Sequence, residues 1–260
     1  MLRPMLAHDS AGPSDGPVVV LVHGWPLNRT IWSEVSPRLA ASGFRVLAPD
    51  LPGFGESPPL LGPSPRVEAY AAELAAFLEG FGPHRFAVAG HSFGGYVALA
   101  LAEMSPHLVG GLGLIASRTG ADNDTVRRGR LETIEKVRAG GAKVLLPGLA
   151  EKLVGARGAV PWRPRAGRII EQARAEGVIA GLAAMAARPD RTAVFDKFSG
   201  LRLVVHGSAD ALIPVAEAAH PSTGRPPIRA ILPDVGHMPM WESPEATADA
   251  VVTWSKALRS

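Results

Sequence analysis

The chain has 260 residues, 47% apolar and 20% charged, with a formal net charge of +3, a balance that fits one large core or two small domains. Gly and Pro fall between apolar runs rather than in one tract, which argues against disorder, and the basic residues form no stripe interleaved with aromatics, which argues against a nucleic-acid partner. With no cysteine, the sequence excludes disulfides, thiolate nucleophiles and cysteine metal sites.

Residues 1–10 lack the apolar core of a signal peptide, being interrupted by Pro4 and Asp9, and no apolar run approaches the ~20 residues of a membrane span. A cytoplasmic protein without a membrane partner is expected. Residues 18–22 form the first run of β-branched residues and leucine, which stops at His23-Gly24. Runs of this length suit strands buried on both faces of a parallel sheet. The pattern returns at residues 45–48, 86–89, 112–116, 201–205 and 228–232. Stretches with helical spacing lie between them, at residues 31–41, 67–78, 96–104 and 244–258. The last has Ser243 as N-cap, Pro244 at its first position and Glu245 near the positive end of the dipole.

Alternating strands and helices predict an α/β fold, a doubly wound, mostly parallel sheet with helices on both faces. The alternation fails between about Arg118 and Ser199, where helices are expected at residues 125–139, 142–154, 165–176 and 178–188 without a strand. Residues 118–199 therefore read as a helical cap, set between core segments 1–117 and 200–260. Apolar residues such as Leu145, Leu146, Ile169 and Ile170 argue against a disordered insertion.

Gly90-His91-Ser92-Phe93-Gly94 matches G-x-S-x-G between a strand and a helix candidate. A serine on such a turn projects its hydroxyl above the sheet, and small neighbours let the backbones pass closely. The hydroxyl needs a base. Of the eight histidines, His8 and His84 lie near polar ends, and His107 and His220 in helix-end or loop segments. His206 ends a strand and reads as structural, His23 as a loop organiser, and His91 as a neighbour of the serine that points elsewhere. His237 follows the last strand candidate, at the sheet edge where doubly wound folds present functional groups. It is the candidate base. Asp210, after the strand at 201–205, is the candidate acid that orients it. Its rivals Asp50 and Asp234 read as a loop anchor and a turn residue. Oxyanion donors are expected from the backbone N–H groups of Phe93 and of Trp25 in His23-Gly24-Trp25-Pro26; Pro26 has no N–H to give.

With these landmarks in the order Ser, Asp, His, the chain resembles the α/β-hydrolase superfamily, and Asp50-Leu51-Pro52-Gly53-Phe54-Gly55-Glu56-Ser57 looks like a segment of its smaller bacterial members. The resemblance looks closest to carboxylesterases, pimeloyl-ester hydrolases, haloperoxidase-like perhydrolases and enol-lactonases. It implies a sheet of the α/β-hydrolase type with the helical cap inserted after the sixth strand, although only one strand fits before Val18 where the family has two. It also implies hydrolysis of a small to medium carboxylic ester through an acyl-Ser92 intermediate, with no metal and no cofactor. A lactonase or carbon–carbon bond hydrolase, with perhydrolase side activity through Pro26, is the alternative within the enzymes. A non-catalytic receptor on the same fold is the alternative outside them.

Leu27, Leu212, Ile213, Met238 and Trp162, with Trp25 and Phe93, are candidate walls of the acyl pocket, against a competing reading as core. The cap arginines Arg127, Arg128, Arg130, Arg157, Arg163, Arg165 and Arg168 read as a solvated helical face, which ranks a small-molecule ester ahead of an acyl-carrier protein as the partner.

Overall fold

The computed structural model describes residues 6–60, 65–82, 85–156, 159–218 and 226–257. His84, Arg157, His220 and residue 258 of the expected last helix lie outside them. Seven strands form one sheet: β1 (His8–Ala11), β2 (Val18–Val22), β3 (Arg45–Pro49), β4 (Phe86–His91), β5 (Val109–Ile115), β6 (Leu201–Gly207) and β7 (Ile228–Leu232). Their order is β1-β3-β2-β4-β5-β6-β7, and all pairs are parallel except β1 with β3. β1 is an edge strand with no apolar run to reveal it, half-buried at His8 and Ala11 and exposed at Asp9 and Ser10. The central strands β4 and β6 are buried along their whole length, which is why they read as continuous apolar runs.

Helices cover both faces. α1 (Ser36–Ala41) packs with α11 (Pro244–Ala257), and α2 (Val67–Glu79) packs with α3 (Phe93–Met104). α3 is buried around nearly its whole circumference, because it lies directly on β4 and β5 with α2 outside it. The expected helix over 31–41 is two pieces, a 3₁₀ turn at Arg29–Trp32 and then α1. Pro37 has no N–H to continue a ladder and instead opens the new helix.

Among the described residues, a short α9 (Val215–Ala218) follows β6, and five α-helices stand between β5 and β6: α4 (Asp124–Gly140), α5 (Leu146–Leu153), α6 (Ala159–Gln172), α7 (Ala175–Ala186) and α8 (Thr192–Asp196). They leave the sheet after the fifth of the described strands rather than the sixth, because among the described residues one strand, β1, precedes β2. The expected helix over 142–154 is broken at Pro147 and Gly148, whose ψ of 105° and φ of 91° are not helical. α6 starts six residues earlier than expected and keeps Pro164 inside it. No helix of the described residues is long and apolar enough to cross a membrane.

After β2 the chain turns to β3 on one side, and β4 then forms on the other side of β2. At such a switch the loops after the two neighbouring strands diverge and leave a crevice at their carboxyl ends. His23–Pro26 and Ser92 stand there.

The core closes under α11, where Trp254 is fully buried and its indole N–H donates to the Leu201 carbonyl at 3.1 Å. Trp254→Ala should cost about 3–5 kcal/mol of stability, from the cavity and the orphaned carbonyl together. Urea denaturation monitored by far-UV circular dichroism measures it, and a loss under ~1 kcal/mol would contradict this account of the core.

Candidate active site

Ser92 is the single residue between β4 and α3, at φ 49° and ψ −114°. For a residue with a side chain this backbone costs about 1–3 kcal/mol and persists only where the surroundings enforce it. They do so here. Ser92 N–H donates to Ile115 O at 2.9 Å, while its carbonyl accepts Gly95 N–H at 2.9 Å and the Ser117 hydroxyl at 2.8 Å. Gly94 is required by space, since a Cβ there would collide with the Val22 carbonyl oxygen. Ser117 was not among the expected residues. Its signal is only its place, two residues beyond β5.

Phe93 opens α3, so its N–H belongs to the first turn, where no intrahelical acceptor exists. Its ring does not face a pocket. It is fully buried edge-on to Tyr70, with ring centres 5.0 Å apart. Across the crevice, Leu27 N–H donates to Gly24 O at 2.9 Å and closes a turn around a cis Trp25–Pro26 peptide. The Trp25 indole N–H donates to the Val178 carbonyl of α7 at 2.9 Å.

His23 organises this loop, its Nδ1–H donating to Gly24 O at 3.0 Å while Nε2 accepts Leu51 N–H at 2.9 Å. Burial lowers its pKa, and it serves as a neutral bridge between the loops after β2 and β3. Asp50 anchors the second of those loops. Its carboxylate accepts Arg29 N–H at 2.7 Å and Glu56 N–H at 2.9 Å, and pairs with the Arg29 guanidinium. Asp234 lies in the turn after β7 at φ 58°.

Beyond β6 and β7, Asp210 and His237 meet, Nδ1 to Oδ2 at 2.7 Å, with 7% and 2% of their surfaces exposed. The Asp210 carboxylate is saturated. Oδ1 accepts the N–H groups of Leu212 and Ile213 at 2.8 and 2.9 Å. Oδ2 also faces His206 Nε2 at 3.3 Å, and that nitrogen donates to Ile213 O at 2.8 Å. His206, read from sequence as structural, is thus part of the acid's surroundings. Burial pushes the Asp210 pKa up, but His237, His206 and the backbone donors overcome it and hold it below the usual carboxylate range.

His91 points away from Ser92's cavity. Its Nε2–H donates to the His237 carbonyl at 2.8 Å, and burial with the nearby His237 holds its pKa well below the ordinary value. This ring braces the backbone of the histidine loop.

Ser92, His237 and Trp25 line one cavity of about 670 Å³, walled on its other side by α4, α5 and α7 and open to solvent at its mouth. Leu212 and Ile213 line it as expected. Leu27 and Met238 do not; both are fully buried in the core beneath the loops. Trp162 does not either. It stacks on Trp241 at 5.5 Å with the Arg165 guanidinium over both rings, fastening α6 to the short helix α10 (Pro239–Glu242). The walls unforeseen from sequence are Tyr96, on the same α3 that Ser92 precedes, and Leu182 and Met185 on the inner face of α7. Among the described residues no cluster of three His, Asp or Glu suited to a metal occurs.

The model of the alpha/beta hydrolase family matches residues 19–250, so the chain belongs to that family and is an enzyme of the hydrolase class. It is 34% identical over 256 residues to a pimeloyl-[acyl-carrier protein] methyl ester esterase of Aromatoleum aromaticum, across 89% of this chain and 95% of that one. A thermophilic esterase from Thermogutta terrifontis, solved with malate bound, superposes with a TM-score of 0.92 at 33% identity, covering 98% and 94% of the two chains. The enol-lactonase of Burkholderia xenovorans shares the fold, with a TM-score of 0.83 at 20% identity over 96% of each chain.

Because Asp210 titrates below its unfolded value of ~3.9, its charge stabilises the fold above that pH, and the stabilisation is lost as pH falls through the lowered value. Asp210→Asn should therefore be clearly less stable than the wild type at pH 7, with the gap closing below about pH 4. Denaturant melts at pH 7, 5 and 3 measure this, and a constant gap would refute it.

Proposed function

We propose that the protein is a serine-dependent carboxylic-ester hydrolase with Ser92 as nucleophile, His237 as general base and acid, and Asp210 as the group that orients His237. The observation that carries this reading is the 2.7 Å contact from His237 Nδ1 to a saturated Asp210, in a cavity that His237 shares with Ser92. With Nδ1–H held by Asp210, the free Nε2 lone pair is the base.

His237 takes the Ser92 hydroxyl proton as Oγ bonds to the ester carbonyl carbon. The Phe93 and Trp25 N–H groups receive the negative charge on the former carbonyl oxygen, a pair in which one donor is typically worth about 10²–10³ in turnover. The tetrahedral adduct collapses, the alkoxide leaves with the proton from His237, and acyl-Ser92 remains. Water deprotonated by His237 repeats the sequence and frees the acid. Residues 118–199 act as a cap that excludes bulk water from the acyl group, with Leu182, Leu212 and Ile213 as its apolar contacts.

With p-nitrophenyl esters from acetate to decanoate, Ser92→Ala should lose at least about 10³-fold in kcat and all labelling by a fluorophosphonate. Retained turnover in that variant would remove Ser92 from the mechanism. A folded wild type inert toward every ester but labelled at Ser92 would move the assignment to a lactone or carbon–carbon bond.

A second reading is favoured by the cavity mouth. Lys136 and Lys152 line it from α4 and α5 and are exposed, beside Arg130. Such a rim suits an acyl ester presented by an acidic acyl-carrier protein, the substrate named for the Aromatoleum relative. Lys136→Glu/Lys152→Glu should then lower kcat/KM for a carrier-bound methyl ester about tenfold and leave the free methyl ester unchanged. Equal effects on both substrates would discard the carrier.

A further inference from the structure

The insertion meets the loop carrying His237 along a short backbone seam. His237 N–H donates to the Leu153 carbonyl at 3.0 Å. Two residues on, Gly155 and Gly236 approach so closely that a Cβ on Gly236 would collide with the Gly155 nitrogen. One side chain occupies the centre of this seam. Glu242, at the end of α10, accepts Gly155 N–H at 3.0 Å and Gly236 N–H at 3.1 Å through Oε2. Through Oε1 it accepts Gly236 N–H at 3.1 Å and Met238 N–H at 3.3 Å.

Three backbone donors from two separate segments therefore converge on one carboxylate, and two of them flank His237 on either side. An ionised carboxylate is an acceptor-only group with about four lone-pair sites, so it suits three N–H donors as no neutral side chain does. The catalytic scheme above gives Glu242 no part: it does not line the cavity, and Asp210 already supplies the acid.

We propose that Glu242 is a positioning residue for the reaction, which ties the edge of the cap to the 236–238 loop and so sets the His237 ring against Asp210. The proposal rests on the assignment of His237 as the base. Its physical reason is leverage. His237 is fixed at its ring by one hydrogen bond to Asp210, so the ring's placement depends on where the backbone on both sides is held. His91 Nε2–H at the His237 carbonyl and Leu153 O at the His237 N–H hold the residue itself. Glu242 holds the residues before and after it and couples them to Gly155. A misplacement of about 1 Å at a base costs on the order of 10² in rate.

Glu242→Gln and Glu242→Ala test this on the full chain. Glu242→Ala should lower kcat for p-nitrophenyl butyrate about 10–100-fold with KM changed less than about threefold. Glu242→Gln, isosteric but with one acceptor oxygen, should fall between it and the wild type. The low-field proton resonance of His237 Nδ1–H should move in both variants, and hydrogen exchange should rise together in peptides 146–156 and 233–243. A brace that only stabilises the fold would lower the melting temperature and leave kcat and the resonance where they were. That outcome, or exchange rising in one segment alone, overturns the proposal. Should Glu242→Ala not fold, the isosteric variant carries the test. Should the wild type hydrolyse no ester, the esterase reading falls, while the resonance and the exchange still decide whether Glu242 sets His237.

Discussion

Ser92 holds a positive φ at the edge of the cavity, and the packing beneath it keeps it there. The residue bridges β4 and α3 with no loop between them, so strand and helix must both be rigid for the turn to persist. α3 is accordingly among the most buried elements, and its first turn passes so close to β2 that position 94 admits no Cβ. The strain of about 1–3 kcal/mol is offset by the hydrogen bond that Ser92 N–H donates to Ile115 O, by those its carbonyl accepts from Gly95 and Ser117, and by the packing behind them. What results is a hydroxyl set at the mouth of the crevice between β2 and β4, beside the first N–H of a helix.

The same region buries several ionisable side chains, His23, Asp50, His91, His206, Asp210 and His237 among them, and three of these are handled in two ways. His23 and His91 are kept neutral by burial, each with one ring nitrogen donating to a backbone carbonyl, and they act as struts between loops. Asp210 is kept charged by four donors around two oxygens. A fixed negative charge beside His237 Nδ1 sets the tautomer of that ring and would stabilise it when protonated. In the proposed mechanism this leaves His237 as the ring that carries the proton.

The helical insertion is fastened to the core at several points, and more than one of them borders this site. Trp25 reaches Val178, Trp162 stacks on Trp241, Leu153 and Gly155 border the His237 loop, and Arg191 on α8's leading edge reaches Glu68 and Glu103 on α2 and α3. Arg118, Arg130 and Arg188 share the buried Asp122 at the start of the insertion. Arg130, counted from sequence as part of a solvated face, is thus partly spent on internal structure, and Arg165 likewise covers two tryptophans.

Six of the seven described strands, the family, and Ser92, Asp210 and His237 as candidates for one site were legible in the linear chain, because each signal there is local. A short apolar run bounded by turn residues suits a strand, a serine between small residues suits a tight turn, and an acid or histidine after such a run falls at the sheet's carboxyl edge. The break at Pro147-Gly148, the helix split before Pro37 and β1, which carries no apolar run, show the limit even for local signals, since a single proline or an edge position outweighs periodicity. The pocket was decided by tertiary structure. Leu27, Met238 and Trp162 are apolar in the same way as Leu182, Leu212 and Ile213, and nothing in their neighbours separates wall from core. Which of them faces the cavity depends on how the insertion's helices lie over the sheet, and that is set by contacts between residues more than a hundred positions apart, such as Trp25 with Val178. The roles of Ser117, His206 and Glu242 were fixed in the same way, because a hydrogen-bond partner brought from another segment leaves no pattern in the chain that supplies it.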